Sequence, residues 1–267
     1  MILFDSIFAL PEPARLNKPF PKSFFTRHDF KLSAAEKRLV NEPFVPLESV
    51  WIGSLKPTAG NVPEYRRATE ESSAPADGRM DYREVQYFRI KLREGDYDRH
   101  GEALAKLYHR YLPYPVVLLL HGDLYYHLSA ATKEIPATAG QACTHLQIFR
   151  SPEVSLARPE GAQLAFQQSL AFPRLNTLNL KTTYDGYLAA ISQLGWQTAT
   201  GLAMTVADPH RQYARLEQLR QLERQHNRLT TQLRKSKRMT ERVELQTELS
   251  KVIRSLKELK NNRPTHE

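Results

Sequence analysis

The sequence predicts a mixed α/β (α+β) domain followed by a long, basic C-terminal coiled-coil helix or helical hairpin. Three observations carry that reading. Short strand-like runs and helical runs share the first 207 residues, the strands fall in adjacent groups, and after Pro209 the chain holds neither Pro nor Gly as far as Lys260. Adjacent strands argue for a mixed sheet and against a doubly wound one. The predicted division is a Pro/aromatic-rich basic segment over 1–32, a mixed-sheet domain over 33–207 and a basic helical region over 208–267.

The elements follow in order. Residues 10–31 combine Leu10-Pro-Glu-Pro13, Lys18-Pro-Phe-Pro-Lys22 and Phe24, Phe25 and Phe30. Proline fixes φ and removes donors, so this stretch is predicted extended and wrapped on the domain. Ser33-Ala-Ala-Glu36 is a capping box opening a short helix to about Asn41. Val50–Leu55 reads as a strand ended by Pro57, and 57–81 as a mobile loop with few apolar anchors. Glu84–Leu92 alternates as a half-buried strand. Asp98 caps a helix presenting Leu104, Leu107, Tyr108 and Tyr111, which Pro113-Tyr-Pro115 stops. Val116–His121 is a continuous apolar run, as in a strand buried on both faces. Gly122-Asp123 turns it into a second strand over Leu124–Ala131. A further strand at Thr144–Arg150 and helices around 160–171 and 184–194 complete the core.

In the C-terminal region Leu219, Leu222, His226, Leu229 and Leu233 form one narrow stripe. Leu245, Leu249, Val252, Leu256 and Leu259 form another. The two are out of register, because counting back in sevens from Leu245 lands on Arg238 and not on a leucine. With no Gly or Pro at 234–240, the pattern favours one continuous helix with a register shift over a basic-tipped hairpin. An apolar seam left open is an aggregation hazard, so Leu222, Leu229, Leu233, Leu245, Leu249, Val252, Leu256 and Leu259 are the predicted interface. A second copy, the other half of the same region or a partner protein would cover it.

Charge is segregated. The chain has 38 Lys+Arg and 29 Asp+Glu, net +9; residues 208–267 hold 15 of the cations and 8 of the anions, net +7, leaving +2 for the rest. Clustered cations neutralise phosphates and release counterions, so Arg234, Lys235, Lys237, Arg238 and Arg242 are the candidate nucleic-acid contacts. Lys18 and Lys22 join them from a second basic segment near the start, where Arg15, Lys18, Lys22, Arg27 and Lys31 face only Asp29. The competing reading is a solvated face balanced by Glu241, Glu244 and Glu248 at helical spacing.

Signals for chemistry are sparse. His121, His127 and His145 with Cys143 match no metal-ligand spacing, and they read as ordinary strand and loop residues. A restriction-type nuclease needs Glu-x-Lys or Asp-x-Lys on a central strand. The strands supply Glu84, Asp123, Lys91 and Lys133 without such a tripeptide, and Ser54-Leu55-Lys56 holds the lysine without the acid. Phosphate-loop, dinucleotide, nucleophile-elbow and zinc-protease motifs are all missing. The sequence therefore predicts no catalytic residues, no metal site and no cofactor. One cysteine excludes an intrachain disulfide. The longest apolar run is strand-sized, against the roughly 18–20 residues of a membrane span. The opening segment carries Asp5 and lacks a basic lead. The expectation is a cytoplasmic protein with no membrane partner.

Several segments, in order, resemble a bacterial family known as domain of unknown function 4391. They are Leu10-Pro, Asn17-Lys-Pro-Phe-Pro-Lys22, Val50-Trp-Ile-Gly-Ser-Leu-Lys-Pro57, Glu84–Leu92, Leu112-Pro-Tyr-Pro-Val-Val-Leu118, Ser129-Ala-Ala-Thr-Lys133 and Lys237–Gln246. Departures are the basic Arg66-Arg67 and Gln246 in place of an asparagine. Members of the family tend to be encoded beside helicases and DNA methyltransferases of restriction-type defence systems. The resemblance implies an antiviral context and supplies no catalytic residue. Together these observations predict a non-catalytic accessory subunit of a restriction-type defence complex. It would dock a helicase or methyltransferase and touch DNA through its basic segments. The rivals are a divergent metal-dependent nuclease and a purely structural coiled-coil dimeriser.

Overall fold

In a computed structural model of the chain, the described residues are 7–21, 23–27, 30–41, 48–66, 81–93, 96–134, 141–203 and 208–261. They form two compact units, Met1–Leu194 and Gly195–Glu267. Strands β1 (Arg15–Pro19), β2 (Glu48–Leu55), β3 (Tyr65–Arg66), β4 (Asp81–Tyr82), β5 (Val85–Lys91), β6 (Val116–His121), β7 (Tyr125–Glu134), β8 (Thr144–Arg150) and β9 (Val154–Ser155) lie in the first unit. Its helices are α1 (Phe24–Arg27), α2 (Ala34–Asn41), α3 (Pro57–Gly60), α4 (Asp96–Tyr111) and α5 (Ala162–Ser169), with most of α6 (Leu180–Thr200).

Among the described residues the main sheet has seven strands in the order β1-β2-β5-β6-β7-β8, with β9 also paired to β7. Every pairing is antiparallel except β5–β6, where Gln86 faces Val116 and Lys91 faces His121 in parallel. A parallel step needs a crossover, and α4 supplies it. Side-chain alternation then builds two cores. Phe88 and Ile90 of β5, with Val116, Leu118 and Leu120 of β6, meet Leu104, Leu107, Tyr108 and Tyr111 of α4. Tyr87, one residue along, packs against Phe8 and edge-on against Tyr187 of α6 on the other side. This two-sided cover corrects the half-buried reading of Glu84–Leu92, because β5 is a central strand.

The sheet also corrects the N-terminal reading. Part of the Pro-rich segment is extended as predicted, but it is a strand of the sheet, with Lys18 opposite Trp51 and Pro19 opposite Val50. Proline is tolerated there because β1 is an edge strand. Phe24–Arg27 is a helical turn rather than extended chain, with the Phe25 ring buried against Tyr108. A Cβ on Gly53 would meet the Ala14 carbonyl oxygen at 2.5 Å, so glycine is what lets the turn before β1 close on β2. The capping box forms as read: Glu36 N donates to Ser33 Oγ and Ser33 N to Glu36 Oε2, at 3.2 and 2.8 Å. Helix α4 starts at Asp96, which places Asp98 inside the first turn and not at the cap. The predicted loop 57–81 contains the helical turn α3 and the paired β3 and β4, while 67–80 lie outside the described residues.

The second unit comprises the end of α6 together with α7 (Pro209–Lys235) and α8 (Met239–Asn261). Asp208 Oδ1 accepts from His210 N at 2.9 Å and caps α7. Trp196 and Leu219 form a buried cluster with Leu256 and Leu259, and the Arg215 guanidinium lies 4.8 Å above the Trp196 ring. A Cβ on Gly195 would press on Leu216 Cδ2 at 2.5 Å, which marks how closely α6 and α7 approach there.

One buried hydroxyl ties a helix of the second layer to two strands. Tyr184 Oη accepts from Ala131 N at 2.8 Å and lies 2.9 Å from the Val116 carbonyl. Tyr184→Phe is expected to lower the unfolding free energy by about 1–3 kcal/mol, since a strand amide loses its buried acceptor. Urea unfolding of the two proteins measures it, and equal midpoints would refute it.

Candidate nucleic-acid interface

The C-terminal region is a hairpin, which corrects the expectation of one continuous helix. Helix α7 ends at Lys235, Ser236 turns extended at φ −68° and ψ 129°, and α8 begins at Met239. The reason is visible in the two stripes. Leu222, Leu229 and Leu233 of α7 pack with Leu245, Leu249, Val252 and Leu256 of α8 in one cluster. Out-of-register stripes cannot share one straight seam, but folded back on each other they match. The fold-back also keeps four adjacent cations out of a single helical turn. Ser236 Oγ donates to Glu241 Oε2 at 2.8 Å, and Ser236 N donates to Gln232 O at 2.9 Å, so the three-residue connection is itself held. The seam is closed within one chain, and covering it takes no second copy.

The hairpin concentrates charge. From Arg224 to Arg242 the cations are Arg224, Arg228, Arg234, Lys235, Lys237, Arg238 and Arg242, against Glu241 alone. All seven are exposed, and none has an ion-pair partner among the described residues. The single carboxylate is engaged by Ser236. The other carboxylates of α8 expected as balancing partners, Glu244 and Glu248, are exposed and also make no ion pair among the described residues. Lys18 is exposed on the edge strand β1, in the other unit. Lys22 lies outside the described residues.

The residues considered for chemistry are dispersed. Glu84 precedes β5 and Asp123 follows β6; the two strands are parallel, so the carboxylates sit at opposite ends of the sheet, separated by about 20 Å of strand at ~3.3 Å per residue. Asp123 instead pairs with Lys91 at 3.0 Å. Glu84 belongs to a polar cluster that the sequence did not reveal: its Oε1 accepts from Ser54 Oγ at 2.6 Å and Gln86 Nε2 at 3.0 Å, and its Oε2 lies 3.5 Å from Lys56 Nζ. The bulge between Trp51 and Gly53 brings Ser54 to the Gln86 side of the sheet. Both carboxylate oxygens are thus occupied by the chain itself. His121 and His127 place Nδ1 on the carbonyls of Gly122 and Ser151 at 2.8 and 3.0 Å, and His145 pairs with Glu134. Burial pushes the His127 imidazole down to about 4. Among the described residues no three His, Cys, Asp or Glu side chains cluster to hold a metal.

A second buried cluster also escaped the sequence. Lys133 Nζ, on β7, donates to the His109 carbonyl at 2.8 Å and to the Leu112 carbonyl, closing the C-terminal end of α4. The His109 ring sets Nε2 2.9 Å from Ser129 Oγ, and Cys143 Sγ lies 3.8 Å from Leu112 O. Burial holds His109 well below the usual imidazole range, with Lys133 adding to the effect, and pushes the Lys133 ammonium down to about 8. The only sequence trace of this arrangement is a lysine at the end of an apolar strand.

The sequence model for a domain of unknown function (DUF4391) matches residues 8–256. The chain belongs to the DUF4391 family. The match takes in the whole sheet and nearly all of the hairpin, so the basic tip lies within the family's own domain. No curated protein and no solved structure gives a match. No helix among the described residues is long and apolar enough to cross a membrane.

Lys133 makes a pH prediction. The unfolded chain keeps a lysine proton up to about the ordinary value of 10.5, whereas the folded chain releases it near 8. Stability therefore rises with pH across that interval, because the unfolded state binds more protons. Burial raises the Cys143 thiol and acts in the opposite sense above its ordinary 9.0, so the measurement belongs in a Cys143→Ala background. There, unfolding free energy is expected to rise from about pH 8 to about pH 9, and Lys133→Met is expected to flatten that rise. That window lies below the ordinary 10.0 of the buried tyrosines, whose raised hydroxyls (Tyr87 and Tyr184 among them) act in the opposite sense at higher pH. A rise that survives Lys133→Met would refute the assignment.

Proposed function

We propose that this DUF4391 protein is a non-catalytic, cytoplasmic accessory subunit of a bacterial restriction-type DNA-processing complex, with its hairpin tip laid against the phosphate backbone of duplex DNA. The observation that carries the reading is the tip itself: five exposed cations, Arg234, Lys235, Lys237, Arg238 and Arg242, and one engaged carboxylate at the end of a helical hairpin. Uncompensated cations at one point repel each other. Phosphates relieve that repulsion and release counterions. The helicase or methyltransferase partner is inferred from the context of the family's genes.

Two features favour duplex backbone over single strands. No Phe, Tyr or Trp follows Tyr213, so the hairpin offers no platform on which bases stack. The cations are spread over two helix ends and their connection, which suits a row of phosphates better than one pocket. The nuclease alternative draws no support from the geometry around Glu84, whose oxygens are filled by Ser54, Gln86 and Lys56.

The test is duplex binding by the full chain across a salt series. Every phosphate that the protein no longer neutralises should reduce the slope of log affinity against log salt by about 0.9. The combined change Arg234→Glu, Arg238→Glu and Arg242→Glu is expected to weaken binding and flatten the slope by up to about three such steps. Unchanged affinity and slope would refute the DNA reading. Magnesium-dependent cleavage abolished by Glu84→Gln would put the nuclease alternative in its place.

A further inference from the structure

Helix α8 carries a second apolar stripe that the hairpin does not use. Met239, Val243 and Ile253 are 76%, 58% and 37% exposed, and with Gln246 and Ser250 they recur at four-and-three spacing along one side. The inner stripe of Leu245, Leu249, Val252 and Leu256 faces α7. Beside the outer one runs an open groove of about 510 Å³, walled by Leu233 of α7 and by Met239, Val243 and Thr247 of α8. Arg242 stands on its rim.

The charges of α8 are partitioned about this stripe. At ~100° per residue, Arg242 borders it on one side and Arg254 on the other, and Lys257 extends it one turn beyond Ile253. Glu241, Glu244 and Glu248 project from the far side of the helix. Glu258 lies one turn beyond Arg254 beside the same border, so from Arg242 to Lys257 the edge is cationic, and an apolar strip with such an edge selects for an apolar strip edged by anions. We infer that the outer face of α8 docks an amphipathic helix of a partner protein, with apolar anchors at i, i+3/i+4 and i+7 and Asp or Glu along its borders. The inference rests on the accessory-subunit reading for there being a partner, and it names that partner's chemistry.

Other occupants fit less well. Duplex DNA gains nothing from Met239, Val243 or Ile253. A membrane-surface helix carries a broad apolar face with Trp, Phe or Leu, whereas this one is narrow and interrupted by Gln246 and Ser250. A second copy would bring Arg242, Arg254 and Lys257 against their own like charges. For a helix in a groove, the same interruptions are useful: Thr247 and Ser250 are small enough for close approach, and Gln246 supplies a polar group that sets register.

The test uses the full-length chain and two synthetic helical peptides of equal length with the same leucine stripe, one bordered by Glu and one by Lys. In fluorescence anisotropy the Glu-bordered peptide is expected to bind at least about tenfold more tightly than the Lys-bordered one. Val243→Glu and Arg254→Glu should each weaken it by about tenfold while leaving the thermal unfolding midpoint unchanged, because both side chains are exposed. Equal binding of the two peptides, or binding indifferent to Val243→Glu, would overturn the inference. So would a dimer in sedimentation, association with anionic vesicles, or duplex binding that Val243→Glu abolishes. Absence of peptide discrimination with salt-dependent DNA binding intact removes this inference alone, whereas absence of DNA binding at the tip removes the proposed function.

Discussion

The fold-back at Ser236 is the constraint on which the arrangement of the basic C-terminal unit depends. Two apolar half-stripes that disagree in register cannot lie along one seam. Turned to face each other they agree: Leu222, Leu229 and Leu233 pack in one cluster with Leu245, Leu249, Val252 and Leu256. Once that pairing is made, three consequences are fixed. The seam is buried without a second chain, the cations between the stripes are gathered at a tip, and the opposite side of α8 is left open. Each consequence is a matter of helical geometry and needs no special residue at the turn.

The sheet unit shows how residues with chemical potential are spent on architecture. The parallel step between β5 and β6 requires α4, and the exposed carbonyls at the end of α4 are closed by an ammonium buried from β7. Burying a lysine disfavours its charge, and bonds to two carbonyls are what make the position tenable. Glu84 is treated similarly. A carboxylate beside the main sheet is satisfied by a hydroxyl, an amide and a partly exposed ammonium. Both clusters are complete within the chain, in contrast to the hairpin tip, where the cations make no ion pair among the described residues.

Much of the sheet was legible because its physics is local. The continuous apolar run Val116–His121, the turn at Gly122 and the capping box at Ser33 each announce themselves within a few residues, and all three stand as read. What failed depended on distant partners. The segment around Lys18 looked merely extended, since proline conceals a strand that receives its bonds from only one side. Strand β5 looked half-buried because its second cover, including Tyr187, lies about a hundred residues away. The break at 236–238 has no Gly or Pro to mark it, and only the mismatch of the stripes betrays it. The candidate cations were legible as a cluster in sequence. Their gathering at an exposed tip, and the outer stripe beside them, follow only from the hairpin.

The most direct test of the account is hydrogen exchange of the full chain with and without duplex DNA at low salt. The account predicts added protection centred on residues 232–243, fading along both helices of the hairpin and vanishing as salt is raised. Protection confined to the sheet unit, or an unchanged tip in a chain that demonstrably binds DNA, would contradict it.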